Sequence, residues 1–274
     1  MFKGTIFVDG SNFLGSLSKV GIQIQIKDYE TFFRYVFDES VKIWSKCLRG
    51  SSITTLMNRV YWYAVGSIDI WDFDKPETKQ HLYEIFNKEK EPKKTYMTLI
   101  GKQNAGMPQN EVAEKAWDML FKETKTWYQK RKANIDGFGN FYTGLQRSSD
   151  FIEVISCGHW KIKPLTRVIL EKELDTRLAV DIVTLESIYD FALIISGDAD
   201  FIPSIEYIKK RGKHVGVVEL IKGFPPEKKG QQFSNRLGTV ADFVVKIYEM
   251  DLVKNGIASQ LTDDKVIKSY EDIE

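Results

Sequence analysis

Asp9, Asp198 and Asp200 each stand just after a short, continuous apolar run. Thr5 to Val8 leads into Asp9-Gly10-Ser11-Asn12, and Phe191 to Ile195 leads into Ser196-Gly197-Asp198-Ala199-Asp200. Asp175 opens the helically spaced segment that feeds the second run, and Asp181 follows it. Carboxylates gathered at one edge repel one another and raise each other's pKa values. The common resolution is a hard divalent cation with oxygen ligands, Mg2+ or Mn2+. Such an ion orients a phosphodiester, stabilises transition-state charge and activates a water. Each acid also has a plain structural use. Asp9 suits a turn or cap, Asp198 and Asp200 suit the start of a helix, Asp175 suits an N-cap and Asp181 a solvated helix face.

Other chemistries fail on particular residues. Gly10 and Gly15 have the glycine spacing of a phosphate-binding P-loop, but Ser16-Leu17 replaces the Lys-Ser/Thr that grips phosphate and metal. An aspartyl-nucleophile phosphatase needs a second Asp two residues after Asp9, where Ser11 stands. An adhesion-type Asp-x-Ser-x-Ser site fails because its second Ser would fall at Phe13. No Gly-x-Gly-x-x-Gly follows a strand. His81, His159 and His214 are the only histidines and suggest no triad; Cys157-Gly158-His159 cannot be completed to four metal ligands.

The elements that must position the acids follow from periodicity. Continuous apolar runs at 5–8, 191–195 and 214–220 suit strands buried on both faces, as in a parallel sheet. Arg59 to Val65 is β-branched and aromatic, and predicts a further strand. Helical spacing marks 28–48, 110–132 and 175–189. Pro203 and Gly212 bracket another helix. Residues 67–109 predict a partly helical insertion, 136–140 a turn, 151–156 and 160–169 extended segments, and 234–248 a final helix. Ligands in open parallel sheets collect beyond the carboxyl ends of the strands, where Asp9 and Asp198 are expected. The alternation predicts an α/β fold, a three-layer α/β/α sandwich with a mainly parallel central sheet and a helical insertion.

The charges are segregated along the chain. Residues 171–206 carry nine acids against Lys172 and Arg177, a net of −7, while 86–132 carry +5 and 207–236 carry eight bases against Glu219 and Glu227. An acidic block beside basic ones suits a metal site flanked by a polyanion track. The total of +1 over 274 residues excludes indiscriminate polyanion binding as the main property. Two cysteines exclude a disulfide framework and predict a reducing, cytoplasmic setting; no apolar run is long enough for a membrane helix. The last residues, 251–274, return to an acidic balance.

IFVDGSN at 6–12, EKELDTRLAVDIV at 171–183, ALIISGDADFIPSIEYIKKRGKHVGVV at 192–218 and SNRLGTVADF at 234–243 together resemble the NYN family of PIN-like nucleases. The family's middle motif has lysine, glycine, valine and aspartate; here Lys172-Glu173-Leu174-Asp175 stands in its place, without the glycine. The resemblance covers about 1–66 and 160–250, so 1–250 reads as one PIN-like domain interrupted at about 67–150, with 251–274 as a tail. It implies cleavage of RNA with Mg2+ or Mn2+. It also implies metal-ligand roles for Asp9, Asp175, Asp198 and Asp200, positioning roles for Asn12 and Ser196, and a lesser role for Asp181. Lys209, Lys210, Arg211, Lys213, Lys228, Lys229 and Arg236 are the expected phosphate track, and Trp117, Trp127 and Tyr128 candidate base-stacking rings. A homodimer is compatible with it. Two other readings remain: a catalytically silent RNA-binding scaffold, and a DNA-directed nuclease.

Overall fold

Buried apolar runs become parallel strands in the computed structural model, which describes residues 1–47, 54–225 and 235–261. In chain order the elements are β1 (Phe2–Asp9), α1 (Gly10–Val20), β2 (Ile22–Gln23), α2 (Tyr29–Cys47) and β3 (Thr55–Ile68). Then come α3 (Pro76–Lys88), α4 (Lys90–Gln103), α5 (Gln109–Ser148), β4 (Ile152–Lys163) and β5 (Val168–Lys172). The last third holds α6 (Leu174–Thr184), β6 (Phe191–Ile195), α7 (Ile202–Lys210), β7 (His214–Ile221), α8 (Asn235–Val240), β8 (Phe243–Tyr248), α9 (Glu249–Lys254) and β9 (Ser259–Gln260). They form two compact units.

The first unit comprises Met1–Gly66, Gly139–Gly158 and the chain from Glu173 onward. Its strands run β4-β3-β1-β6-β7-β8. The β1–β3, β1–β6, β6–β7 and β7–β8 pairs are all parallel. From β1 the chain steps one way to β3, and from β6 it steps the other way to β7. Right-handed crossovers then place the connecting helices on opposite faces. Accordingly α2 packs toward β7 and β8, while α6 packs on β1 and α7. This gives the three layers of an α/β/α sandwich, as expected from the sequence. Ile6, Phe7, Val8, Leu193 and Ile194 are fully buried in the sheet. On one face Phe13 meets Phe32 at 5.2 Å and Trp62 at 5.5 Å between ring centroids. Each such ring contributes about 1.5–3 kcal/mol by burial.

The second unit comprises Ser67–Phe138 and His159–Lys172. It contains α3, α4, the first part of α5, and the antiparallel pairing of the end of β4 with β5. Leu82, Phe86, Trp117 and Leu120 form its core. The Glu123 carboxylate accepts from Tyr96 Oη at 2.6 Å and from Arg167 Nη2 at 2.7 Å.

Four expectations are corrected. Residues 136–140 are no turn but part of the 40-residue α5. The buried stripe continues through Tyr128, Arg131, Ile135, Tyr142 and Leu145 at spacings of three, four or seven. That burial outweighs the roughly 1 kcal/mol that each of Gly137 and Gly139 costs a helix. The stretch expected as one helix over 234–248 is α8 followed by β8. Phe243, Val245 and Ile247 alternate inward with period two, and β-branched neighbours favour the strand. The expected gap between two extended segments at 157–159 is closed, because β4 runs through Cys157-Gly158-His159. Asp175 is not an N-cap: Glu173 precedes the helix, so Asp175 lies within its first turn.

Candidate functional site

Strand order reverses between β1 and β6, the place where ligands enter an open parallel sheet. Asp9 leaves β1 there and caps α1. Its Oδ1 accepts from the Asn12 amide at 3.0 Å, and its Oδ2 accepts from Ser196 Oγ at 2.9 Å. Ser196 Oγ in turn accepts from the Asp198 amide at 3.1 Å, and Asn12 Oδ1 accepts from the Gly197 amide at 3.0 Å. Asp198 Oδ1 accepts from the Asp200 amide at 2.9 Å and so caps the short 3-10 turn Ala199–Phe201 that enters α7. Asp9, Asn12, Ser196 and Asp198 are thereby joined in one hydrogen-bonded group. Asp9 is only 4% exposed, so its carboxylate is held rather than solvated. Gly10 is needed beside it: a Cβ there would stand 2.5 Å from the Tyr63 carbonyl and from Trp62 Nε1.

Asp175 and Asp200 meet elsewhere at the same end of the sheet. Together with Thr176, Ala179, Val180, Val183, Thr184 and Ser204 they line an open cleft of about 450 Å³. Glu173, just before α6, has φ of 74°, in the left-handed region that favours glycine. It occupies the place where the resembled family motif has its glycine.

Asp181 is not gathered with these acids. It is 7% exposed and its Oδ2 accepts from Tyr63 Oη at 3.0 Å and Arg177 Nε at 2.9 Å. Burial, and then the Asp181 charge, push the Tyr63 phenol far above its usual range. The bond to Asp181 likewise raises Arg177. Neither Tyr63 nor Arg177 stood out in sequence. The Arg177/Asp181 spacing of four was a readable helix pair; Tyr63 needed the sheet register, which sets it opposite Asp9.

The expected phosphate track is divided. Lys209, Lys210, Arg211 and Lys213 lie at the end of α7 and in the turn into β7, where His214 pairs with Phe191. That is the amino end of β6, about 16 Å of strand away from the acids. Lys209 Nζ donates to the Val240 carbonyl at 2.6 Å and pairs with Asp242 at 2.9 Å. Arg211 pairs with Glu186 at 3.1 Å, and Lys213 donates to the Tyr189 carbonyl at 2.7 Å. Arg236 is different. It is exposed at the start of α8, which packs on the Ala199–Phe201 turn, and Lys222 is exposed just past the carboxyl end of β7. Lys228 and Lys229 lie outside the described residues. Trp117 and Tyr128 are buried in the second unit, so they serve its core; Trp127 is half-buried against Arg131.

The NYN domain profile matches residues 97–237, more than half of the 274 residues. This chain belongs to the NYN family. The match takes in the segments of Asp175, Asp181, Asp198 and Asp200 and stops short of Asp9. It begins within α4, inside the stretch for which the sequence resemblance offered no counterpart. No curated protein matches the chain. Among solved structures it is similar to a protein of unknown function from Vibrio parahaemolyticus, at 15% identity over 90% of this chain and 94% of that one, with a TM-score of 0.38.

Membership in a PIN-like nuclease family implies a divalent metal and a nucleic-acid substrate. The donors here fit a hard ion in kind: they are carboxylate and hydroxyl oxygens, with no thiolate or imidazole among them. Among the described residues, no three His, Cys, Asp or Glu side chains are clustered so as to hold one ion. No helix among the described residues is long and apolar enough to cross a membrane.

Proposed function

We propose that this NYN protein is a ribonuclease that hydrolyses RNA phosphodiester bonds with the help of Mg2+ or Mn2+. The observation that carries the reading is the tie from buried Asp9 through Ser196 to the Asp198 segment, at the point where strand order reverses. A carboxylate this buried where strand order reverses suits a ligand-binding role.

Asp9 and Asp198 are the residues that would hold the ion, with Asp175 and Asp200 on the cleft at the same end of the sheet. When bound, it supplies Lewis acidity and a more acidic water. Ser196 orients Asp9 by donating to Oδ2, and Asn12 fixes the Ser196–Asp198 turn by accepting from Gly197. Asp200, exposed and lining the same cleft as Asp175, would orient a water or accept its proton. No protein nucleophile is required. Lys222 and Arg236 supply positive charge on the acidic end of the sheet. The two free cysteines fit a reducing, cytoplasmic setting.

The dispersed arrangement of the acids favours a second reading, an RNA-binding scaffold of the same fold without catalysis. One assay separates the two. Labelled single-stranded RNA, structured RNA and single-stranded DNA are incubated with the protein in Mn2+, Mg2+ or EDTA. The nuclease reading expects RNA fragments with either ion and none in EDTA. RNA binding without fragments under every condition would establish the scaffold instead, and preferred cleavage of DNA would move the substrate class.

A further inference from the structure

Asp181 matches one of the family's acidic positions, yet its carboxylate is already committed. Its partners are the Tyr63 hydroxyl and the Arg177 Nε, both on Oδ2. We infer that Asp181 does not hold the metal but aims Arg177, and that Arg177 grips a phosphate of the RNA next to the one being cut. This inference rests on the nuclease reading for its substrate, though not for its geometry.

Three observations carry it. First, Arg177 spends only its Nε on Asp181. A guanidinium has five N–H donors in a rigid fork, so its Nη edge is left to bind something else. The side chain is 55% exposed, so that edge meets solvent. Second, the anchor is stiff. Asp181 is buried on the inner face of α6 and is braced by Tyr63, a residue of β3 that lies opposite Asp9 in the register. Tyr63 cannot ionise in the working range, because burial and Asp181 hold its phenol far up, so it always donates. Third, the placement is right. α6 begins at the carboxyl end of the sheet, so Arg177, in its first turn, shares that end with Asp9. The helix N-terminus adds a favourable dipole for an anion.

Arg177 and Asp175 are two residues apart, which sets them about 200° apart around a helix. Asp175 faces the cleft with Asp200, and Arg177 leans the other way, toward β3. The two therefore point to different sides of α6 instead of converging, and Arg177 suits a neighbouring phosphate better than the reacting one. An ordinary surface pair of this spacing would steady the helix slightly and do nothing else.

The test uses the full chain and a labelled single-stranded RNA. Binding is measured in EDTA across a salt series, and cleavage is measured in Mn2+. Arg177→Ala is expected to weaken binding about tenfold and to reduce the log-affinity against log-salt slope by about 0.7, one phosphate contact on a single strand. KM rises and kcat holds. Asp181→Asn and Tyr63→Phe give smaller losses of the same kind, and combining either with Arg177→Ala adds nothing further. Thermal melts confirm that each variant is folded. Unchanged affinity and slope in Arg177→Ala overturn the inference. So does an Asp181→Asn variant that loses kcat and needs more Mn2+, because that is the signature of a metal ligand. A wild type that binds RNA through Arg177 and never cleaves sinks the nuclease reading and leaves this contact standing. A wild type that cleaves, with KM untouched by Arg177→Ala, does the reverse.

Discussion

Glu173 shows how a single residue carries the local geometry of the site. Its φ of 74° costs a non-glycine residue about 1–2 kcal/mol, and no hydrogen bond of its side chain caps α6 in return. Replacing it with glycine removes that cost at the price of some unfolded-state entropy. Glu173→Gly is therefore expected to stabilise the protein by about 1 kcal/mol, raising the melting temperature by about 2–4 °C. Calorimetry checks it, and an unchanged or lowered midpoint would show that Glu173 is held by something worth more than its strain. The acids themselves were legible in the sequence, since Asp9, Asp198 and Asp200 each follow an apolar run that could only be a buried strand. What was not legible is which acids meet. Asp9 reaches the Asp198 segment through Ser196, and Asp181 turns to Tyr63 and Arg177; both pairings depend on sheet register and on side-chain direction, which no local pattern encodes.

At the scale of elements, β1, β6, α7 and β7 followed their sequence signals closely. The signals were strong because each strand is buried on both faces and Pro203 and Gly212 mark the helix ends. Failures came where two periods compete. In α5 two glycines mimic a turn but the buried stripe passes through them, and β8 is short enough for its alternation to read as a helix. The second unit is fastened by a cluster that joins three of its elements: Tyr96 of α4 and Arg167, in the turn before β5, both converge on Glu123 of α5. The hydrogen bonds from Tyr96 and Arg167 outweigh partial burial and hold the Glu123 carboxyl below its ordinary 4.5. A depressed carboxyl stabilises the fold above its unfolded pKa, and that stability is lost as pH falls through the folded value. Wild-type stability should thus drop between about pH 4.5 and the lower folded value, and Glu123→Gln should be less stable at neutral pH and show a shallower acid loss. Urea midpoints over pH 3 to 7 measure this; parallel curves for the two proteins would contradict it.

For the whole molecule, the charge total of +1 conceals a division between the two ends of the sheet. The acids lie at the carboxyl end, while Lys209, Arg211 and Lys213 lie at the amino end and are tied to Asp242, Glu186 and the Tyr189 carbonyl. The contiguous basic stretch seen in sequence is therefore not one surface beside the site, because a helix of nine residues carries the chain from one end of the sheet to the other. On the proposed function, RNA at the acids would draw positive contacts from Arg177, Lys222 and Arg236 instead. On the proposed function, the acids joined at the β1/β6 reversal perform hydrolysis. The most direct test of this is the single-turnover cleavage rate of Asp198→Asn in Mn2+, measured beside the wild type on the same labelled RNA, with RNA affinity in EDTA as the control. A rate loss of about a hundredfold or more with affinity kept is expected, since several kcal/mol of transition-state stabilisation go with the carboxylate. Cleavage by Asp198→Asn at the wild-type rate would contradict it.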